Sequence, residues 1–382
     1  MGLSAPVVIV GGSTAGLATA RELRDLGHDG PLTVVSDEAE PGYQRPPLSK
    51  RGLREELPPA DAAAGLDLEV VLGTATGLAP SVVELAGGRT LPFDRLVIAT
   101  GARPRRLAAP GQTGELVLRS REDAADLRAA LARASSAIVV GAGFLGMEVA
   151  GACLAHGLAV TVVDVDRPLE RLLGGFVSRL VQDRLAAAGG RFLRGRATLL
   201  GSPVNGVDVD GGRARLSADV VVTCVGDVPN VKWLAGSGVH LADGVVVDGR
   251  GRTNLPSVFA AGDVVCAAWG GNLTRRPFWA NAMTQGRLVA HSLLGLETPV
   301  PLWDDYFWTE VMGCAVKVTG PTPLAGEPDA VEGTPEEGAL FRWDGPHGPT
   351  LVAWGHRLSA ARLRRLRLEP PEPAPAAAES AR

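Results

Sequence analysis

The chain has 382 residues, 46% of them hydrophobic, and a formal net charge of −4 at pH 7. That length buries a substantial core in two or three domains, and the near-neutral balance excludes a bulk nucleic-acid partner. No apolar run approaches the ~18 residues of a membrane helix, and the amino terminus enters a strand without a basic-then-apolar leader, so a cytoplasmic protein with no membrane partner is expected.

The first predicted element is the strand Val7-Val8-Ile9-Val10, which runs into Gly11-Gly12-Ser13-Thr14-Ala15-Gly16 and then an Ala/Leu-rich helix. A second strand, Leu32-Thr33-Val34-Val35-Ser36, ends at Asp37. This is the pattern of a dinucleotide fingerprint. The buried strand and helix N-terminus present N–H groups to a pyrophosphate, glycines permit close approach, and an acid about 20 residues on accepts from a ribose hydroxyl. Ser13 stands where the second glycine of that fingerprint is usual, and its small side chain is compatible with tight binding.

Further along, Arg95-Leu96-Val97-Ile98-Ala99-Thr100-Gly101 is a strand closed by a glycine, and Arg121 to Ala134 reads as a helix. The fingerprint then repeats as Ala137-Ile138-Val139-Val140-Gly141-Ala142-Gly143-Phe144-Leu145-Gly146, followed by a strand from Ala159 that ends at Asp164. Two fingerprints imply two dinucleotides. Strand-end glycines recur at Gly226, with Pro229 and Asn230 beyond it, and at Gly262-Asp263, where the chain is expected to turn tightly beside a cofactor. The strand at Gly244 to Asp248 reads as a return to the first domain, and a helix is predicted from Asn281 to Leu294. From Pro299 to Glu369 the texture changes to aromatic strands and Gly/Pro turns, an α+β pattern, and the Pro/Ala/Glu tail from Pro370 to Arg382 is expected to be disordered.

Cys153, Cys224, Cys266 and Cys314 are too dispersed for a metal cluster or a disulfide framework, so no metal is expected. None falls between Tyr43 and Lys50, where a flavoprotein disulfide reductase would carry its reactive thiol.

From Val7 to about Trp308 the chain resembles the FAD-dependent NADH:ferredoxin reductases of oxygenase systems, the putidaredoxin reductase-like group. The resemblance is carried by Arg45-Pro46-Pro47-Leu48-Ser49-Lys50, Ala99-Thr100-Gly101, Val225-Gly226 with Pro229-Asn230, Ala261-Gly262-Asp263 and Tyr306-Phe307-Trp308-Thr309-Glu310. It implies an α/β fold of glutathione-reductase type, with two Rossmann-like dinucleotide-binding domains and a small C-terminal α+β domain. The boundaries expected are 1–110 with 240–298 for FAD, 111–239 for NAD, and 299–369 for an interface domain.

The resemblance places Gly11, Ser13, Ala15 and Gly16 at the FAD pyrophosphate, Asp37 at its ribose, and Arg45 and Lys50 near its phosphates and ring. Thr76, Thr100, Gly101, Arg119, Gly262, Asp263 and Trp279 would line the flavin. Gly141, Gly143, Leu145, Gly146, Asp164 and Gly226 would hold the nicotinamide nucleotide. Lys50 and Glu148 would form an ion pair that orients the hydride donor. Phe144 would cover the flavin face or simply pack against the sheet, and Trp308, or its neighbour Trp303, would lie where electrons leave. Asp164 favours NADH over NADPH by repelling a 2′-phosphate, although Arg167 and Arg171 would accept one if their loop curled inward. The helix near Asn281 would point its positive end at the flavin.

The implied partner is a [2Fe–2S] ferredoxin that serves a haem monooxygenase or Rieske oxygenase, met by a monomer or homodimer. Arg103, Arg105, Arg106, Arg362, Arg364, Arg365 and Arg367 offer basic docking surface, or are ordinary solvated charges. Two departures stand out: Pro277-Phe278 replace the family's usual Glu-His pair before Trp279, and the C-terminal region is abbreviated beyond Trp354. They leave two other readings, an oxidoreductase acting directly on a small molecule or oxygen, and a nucleotide-sensing flavoprotein.

Overall fold

In the computed structural model the described residues are 4–40, 42–58 and 63–369, so the predicted disordered tail lies outside them. The chain divides into two compact units. The first comprises Met1–Ser135, Leu199–Gly206 and Ser217–Asp304, and the second Ser136–Thr198, Val207–Leu216 and Asp305–Arg382. Among the described residues no helix is long and apolar enough to cross a membrane.

The first unit is built on a parallel sheet ordered Val258–Ala260, Arg95–Ile98, Val7–Val10, Leu32–Ser36, Glu69–Leu72. Its central strand Val7–Val10 is buried throughout, as an uninterrupted β-branched run requires when both sheet faces are covered. Helix Thr14–Asp25 begins directly after the first turn, and there the glycines are obligatory. Gly11 adopts φ +125°, and a Cβ on it would lie 2.1 Å from the Ala99 carbonyl oxygen; one on Gly16 would lie 2.0 Å from the Gly11 oxygen. Helix Trp279–Leu293 packs beside Thr14–Asp25, and Gly286 permits the contact by facing the Ala15 carbonyl.

The segments leading out of and back into this unit are stapled together by polar groups. Glu115, 8% exposed, accepts from the Thr223 hydroxyl at 2.6 Å and from Leu107 N at 2.7 Å and Ala108 N at 3.3 Å. Helix Arg121–Leu131 starts with a capping box in which Ser120 and Asp123 satisfy each other's backbone donors.

The second unit opens with parallel strands Ser136–Val140, Ala159–Asp164 and Arg191–Arg194, and helix Phe144–Ala155 follows its glycine turn. Its last part is an antiparallel sheet ordered Tyr306–Val311, Cys314–Thr319, Gly348–Trp354, Gly338–Gly345, Ala330–Thr334, closed by helix Ala360–Leu368. The first hairpin turns through Met312 and Gly313, both at positive φ. Helix Glu170–Ala187 breaks at Gly174, where a Cβ would come within 2.7 Å of the Leu324 carbonyl oxygen, and the Leu324 N–H donates to Leu172 O at 3.0 Å.

Candidate functional site

The first fingerprint and its following strand converge on a connected set of charged groups. Arg45 reaches Glu38 at 2.6 Å, the Tyr43 hydroxyl at 2.9 Å and the Arg119 carbonyl oxygen at 2.6 Å. Arg119 in turn pairs with Asp263 at 2.8 Å, which ties the Arg45–Lys50 segment to the Gly262-Asp263 turn. Tyr43 donates to Glu38, and burial above all holds its phenol far above the ordinary tyrosine value, so it remains a donor. Burial alone would weaken the Arg45 cation, but Tyr43 and Glu38 outweigh it and hold its pKa above the usual arginine value.

Glu38 and Tyr43 belong to this network and were not singled out from the sequence. Asp37, expected at the ribose, is exposed, and it is Glu38 beside it that carries the contacts. The register explains this placement. Val10 pairs with Val35 in the first unit and Val140 with Val163 in the second, so the positional equivalent of Asp164 is Ser36 rather than Asp37. The Ser36 hydroxyl accepts from Glu38 N at 3.2 Å, just as Asp164 accepts from Asp166 N at 3.2 Å.

The strand-end motifs meet one another. Thr100 Oγ1 donates to Asn230 O at 2.8 Å, Asn230 Nδ2 returns a bond to Thr100 O at 3.0 Å, and Asn230 N donates to Gly101 O at 3.0 Å. Gly226 lies just before this knot at φ +92°. The Gly262 N–H donates to Gln285 Oε1 at 2.8 Å, and Trp279 is the first residue of the helix that carries Gln285. Thr76 sits on a separate antiparallel strand, exposed, with its hydroxyl donating to Glu84 O at 3.3 Å. Lys50 donates to Pro46 O at 3.2 Å within its own turn. At the Pro277-Phe278 departure, the Arg276 guanidinium lies over the Trp269 ring at 4.1 Å.

In the second unit Asp164 Oδ2 accepts the Ala142 N–H at 2.6 Å, so this acid shapes the glycine turn. Gly141 N donates to Val163 O at 2.8 Å, and Gly143 is the N-cap of helix Phe144–Ala155, which carries Leu145 and Gly146 in its first turn. A Cβ on Gly143, the position matched by Ser13 in the first fingerprint, would meet nothing within 4 Å. Arg171 is paired with Asp166 at 2.7 Å and Arg167 with Glu170 at 3.7 Å, so both candidate phosphate acceptors face acids. Phe144 packs edge-on against Phe307, centroids 5.4 Å apart, and Glu148 Oε1 accepts the Thr309 hydroxyl at 2.8 Å.

Trp308 projects half-buried on the other face of its strand, stacked with Tyr306 at 6.1 Å. Trp303, by contrast, is buried in the first unit's core and donates to Ala268 O at 3.2 Å. Several arginines of the expected docking surface are held by their own unit: Arg103 by Asn230, Arg106 by Glu115, Arg362 by Glu369 and Arg367 by Asp305.

Residues 5–286 match the profile of the pyridine nucleotide-disulphide oxidoreductases. The chain belongs to that family. It is an oxidoreductase whose cofactors are FAD and NADH. Among its relatives are rubredoxin–NAD(+) reductase of Pseudomonas putida, 33% identical over 82% of this chain and 86% of that protein, and the ferredoxin–NAD(+) reductase component of the p-cumate 2,3-dioxygenase system of the same species, 34% identical over 82% and 81%. The crystal structure of the ferredoxin reductase for the CYP199A2 system from Rhodopseudomonas palustris superposes with a TM-score of 0.83 at 29% identity, covering 92% of this chain and 91% of that one.

The residues fit the cofactor. The first turn packs Gly11 and Gly16 against backbone oxygens with no room for a side chain, the close strand–turn–helix geometry whose helix N-terminus can receive a pyrophosphate, and the Nε of Arg119 is buried with no hydrogen-bond partner among the described residues. The Tyr43–Lys50 segment contains no cysteine. All four cysteines are thiols, three of them buried, and burial pushes Cys153 up to about 12.

Proposed function

We propose that this protein passes electrons from NADH through FAD to a [2Fe–2S] ferredoxin that serves a haem or Rieske oxygenase. The observation that carries the reading is the pairing of two dinucleotide fingerprints with a Tyr43–Lys50 segment that holds a cation network and no thiol. Support for the partner class comes from the redoxin reductases that share about four-fifths of the chain. When bound, FAD supplies the exchange between hydride and single-electron chemistry. The chain's own groups bind and orient. Gly11, Ser13, Ala15 and Gly16 offer backbone to the pyrophosphate, Glu38 stands nearest to the ribose role, and Arg45, Arg119 and Asp263 order the phosphate side. Lys50 supplies a cation on the flavin side, and Glu148 orients the nicotinamide carboxamide, with Phe144 beside it as the aromatic that yields to the ring. Trp308 is the exit residue.

Two expected outcomes test these roles. Trp308→Ala is expected to slow ferredoxin reduction about tenfold or more while leaving single-turnover hydride transfer near the parent rate; equal slowing of both steps would remove Trp308 from the exit route. Asp164→Asn keeps an acceptor for the Ala142 N–H but loses the charge. It is expected to narrow the NADH-over-NADPH preference in kcat/KM by about tenfold, the size of one charge-dependent contact, with little change in Tm. An unchanged ratio would mean that the acid serves the turn alone.

A further inference from the structure

We infer that Thr309 is a positioning residue for Glu148 and sets how firmly this protein holds the nicotinamide; the inference rests on the Glu148 role proposed above. Strand Tyr306–Val311 alternates in burial, with Phe307, Thr309 and Val311 inside and Glu310 exposed. Its inner face meets helix Phe144–Ala155 along one stripe. Phe307 lies against Phe144, the Thr309 hydroxyl donates to Glu148 Oε1 at 2.8 Å, and beyond them the Met312 backbone passes close enough to Gly151 that a Cβ there would be 3.2 Å from Met312 N. The helix positions 144, 148 and 151 are one face of a 3.6-residue repeat, and 307, 309 and 311 are one face of a two-residue repeat.

The stripe is clamped at its far end by Arg184, whose Nε donates to both Val311 O and Met312 O at 3.1 Å. Thr309 is therefore not a loose surface hydroxyl. It is 1% exposed, on a strand fixed at both ends of the contact, and the Glu310 N–H adds a second, longer bond to the same carboxylate oxygen at 3.3 Å. A carboxylate on a helix turns freely about three side-chain torsions, and two donors from one rigid strand leave it a single orientation. The same strand presents Trp308 on its opposite face, so the contact that orients the nicotinamide-side carboxylate also seats the exit residue.

The test is a double-mutant cycle on the FAD-loaded protein, read by calorimetric titration with NAD+ and by the NADH KM, with FAD content and Tm as folding controls. Thr309→Val removes the donor at nearly constant volume and is expected to weaken NAD+ binding about tenfold, whereas Thr309→Ser keeps the donor and is expected to stay within about threefold of the parent. Adding Thr309→Val to Glu148→Gln is expected to cost little beyond Glu148→Gln alone. Full additivity, or parent-like binding by Thr309→Val alongside a strong Glu148→Gln effect, would overturn the positioning role while leaving Glu148 at the nicotinamide. Parent-like binding by Glu148→Gln would overturn the Glu148 reading itself, and this inference with it.

Discussion

Gly11→Ala is expected to yield protein that retains almost no FAD and is destabilised by at least about 3 kcal/mol, a large share of the ~5–15 kcal/mol that holds a native protein together. Two costs combine. The backbone sits at φ +125°, a conformation open to glycine, where an L-residue is strained by about 1–3 kcal/mol. The new Cβ would also lie 2.1 Å from the carbonyl oxygen of Ala99, just past the neighbouring strand Arg95–Ile98, a backbone atom that has no rotamer by which to retreat. Relief requires the turn to move away from the strand, and that motion withdraws the N–H groups offered to the pyrophosphate. Gly143→Ala is the control. Its Cβ would meet nothing within 4 Å and its φ is −73°, so stability should change by less than about 1 kcal/mol. Bound flavin per chain and Tm, measured side by side, separate the two.

Glu115→Ala carries the second large effect, an expected loss of about 3–5 kcal/mol in the first unit, because it strips the acceptor from a buried polar cluster. The Glu115 side chain is 2% exposed, and its removal leaves the Thr223 hydroxyl and the Leu107 and Ala108 N–H groups without their carboxylate. Arg106, at 3.7 Å and 55% exposed, contributes little to this figure, because solvent screens it. Chemical unfolding followed by flavin release reports on the unit to which we assign FAD, which matters because two compact units need not unfold together. A midpoint unchanged from the parent would mean that water replaces the carboxylate at no cost.

Much of the fold was legible because each dinucleotide unit repeats one local grammar: apolar strand, glycine turn, small-residue helix, second strand, acid. Gly11 and Gly141 are fixed by contacts within a few residues or across one strand pair, and such constraints leave a mark in the sequence. The strand-end motifs were legible as motifs, but their mutual bonds were not, since Thr100 and Asn230 are 130 positions apart. Glu38 carried no signal of its own beside Asp37, because its contacts to Tyr43 and Arg45 depend on how the segment after the strand folds back. Tyr43 was missed because its role lies in a hydroxyl shared by Glu38 and Arg45, and an isolated tyrosine gives no periodic signal. The docking of the Tyr306–Val311 strand on helix Phe144–Ala155 is a long-range packing event between two amphipathic faces, each readable alone and neither naming its partner.

The measurement that bears most directly on the proposed function is the rate of NADH oxidation by the FAD-loaded protein in air, with and without a [2Fe–2S] ferredoxin that hands electrons to cytochrome c. A ferredoxin-dependent rise of at least about tenfold, with cytochrome c reduced in proportion to NADH consumed, is the result expected of an enzyme that converts a hydride into single electrons for a protein acceptor. Rapid NADH loss that ferredoxin does not change would contradict the account in favour of direct reduction of oxygen or a small molecule, and the absence of turnover with either acceptor would contradict it in favour of a nucleotide sensor.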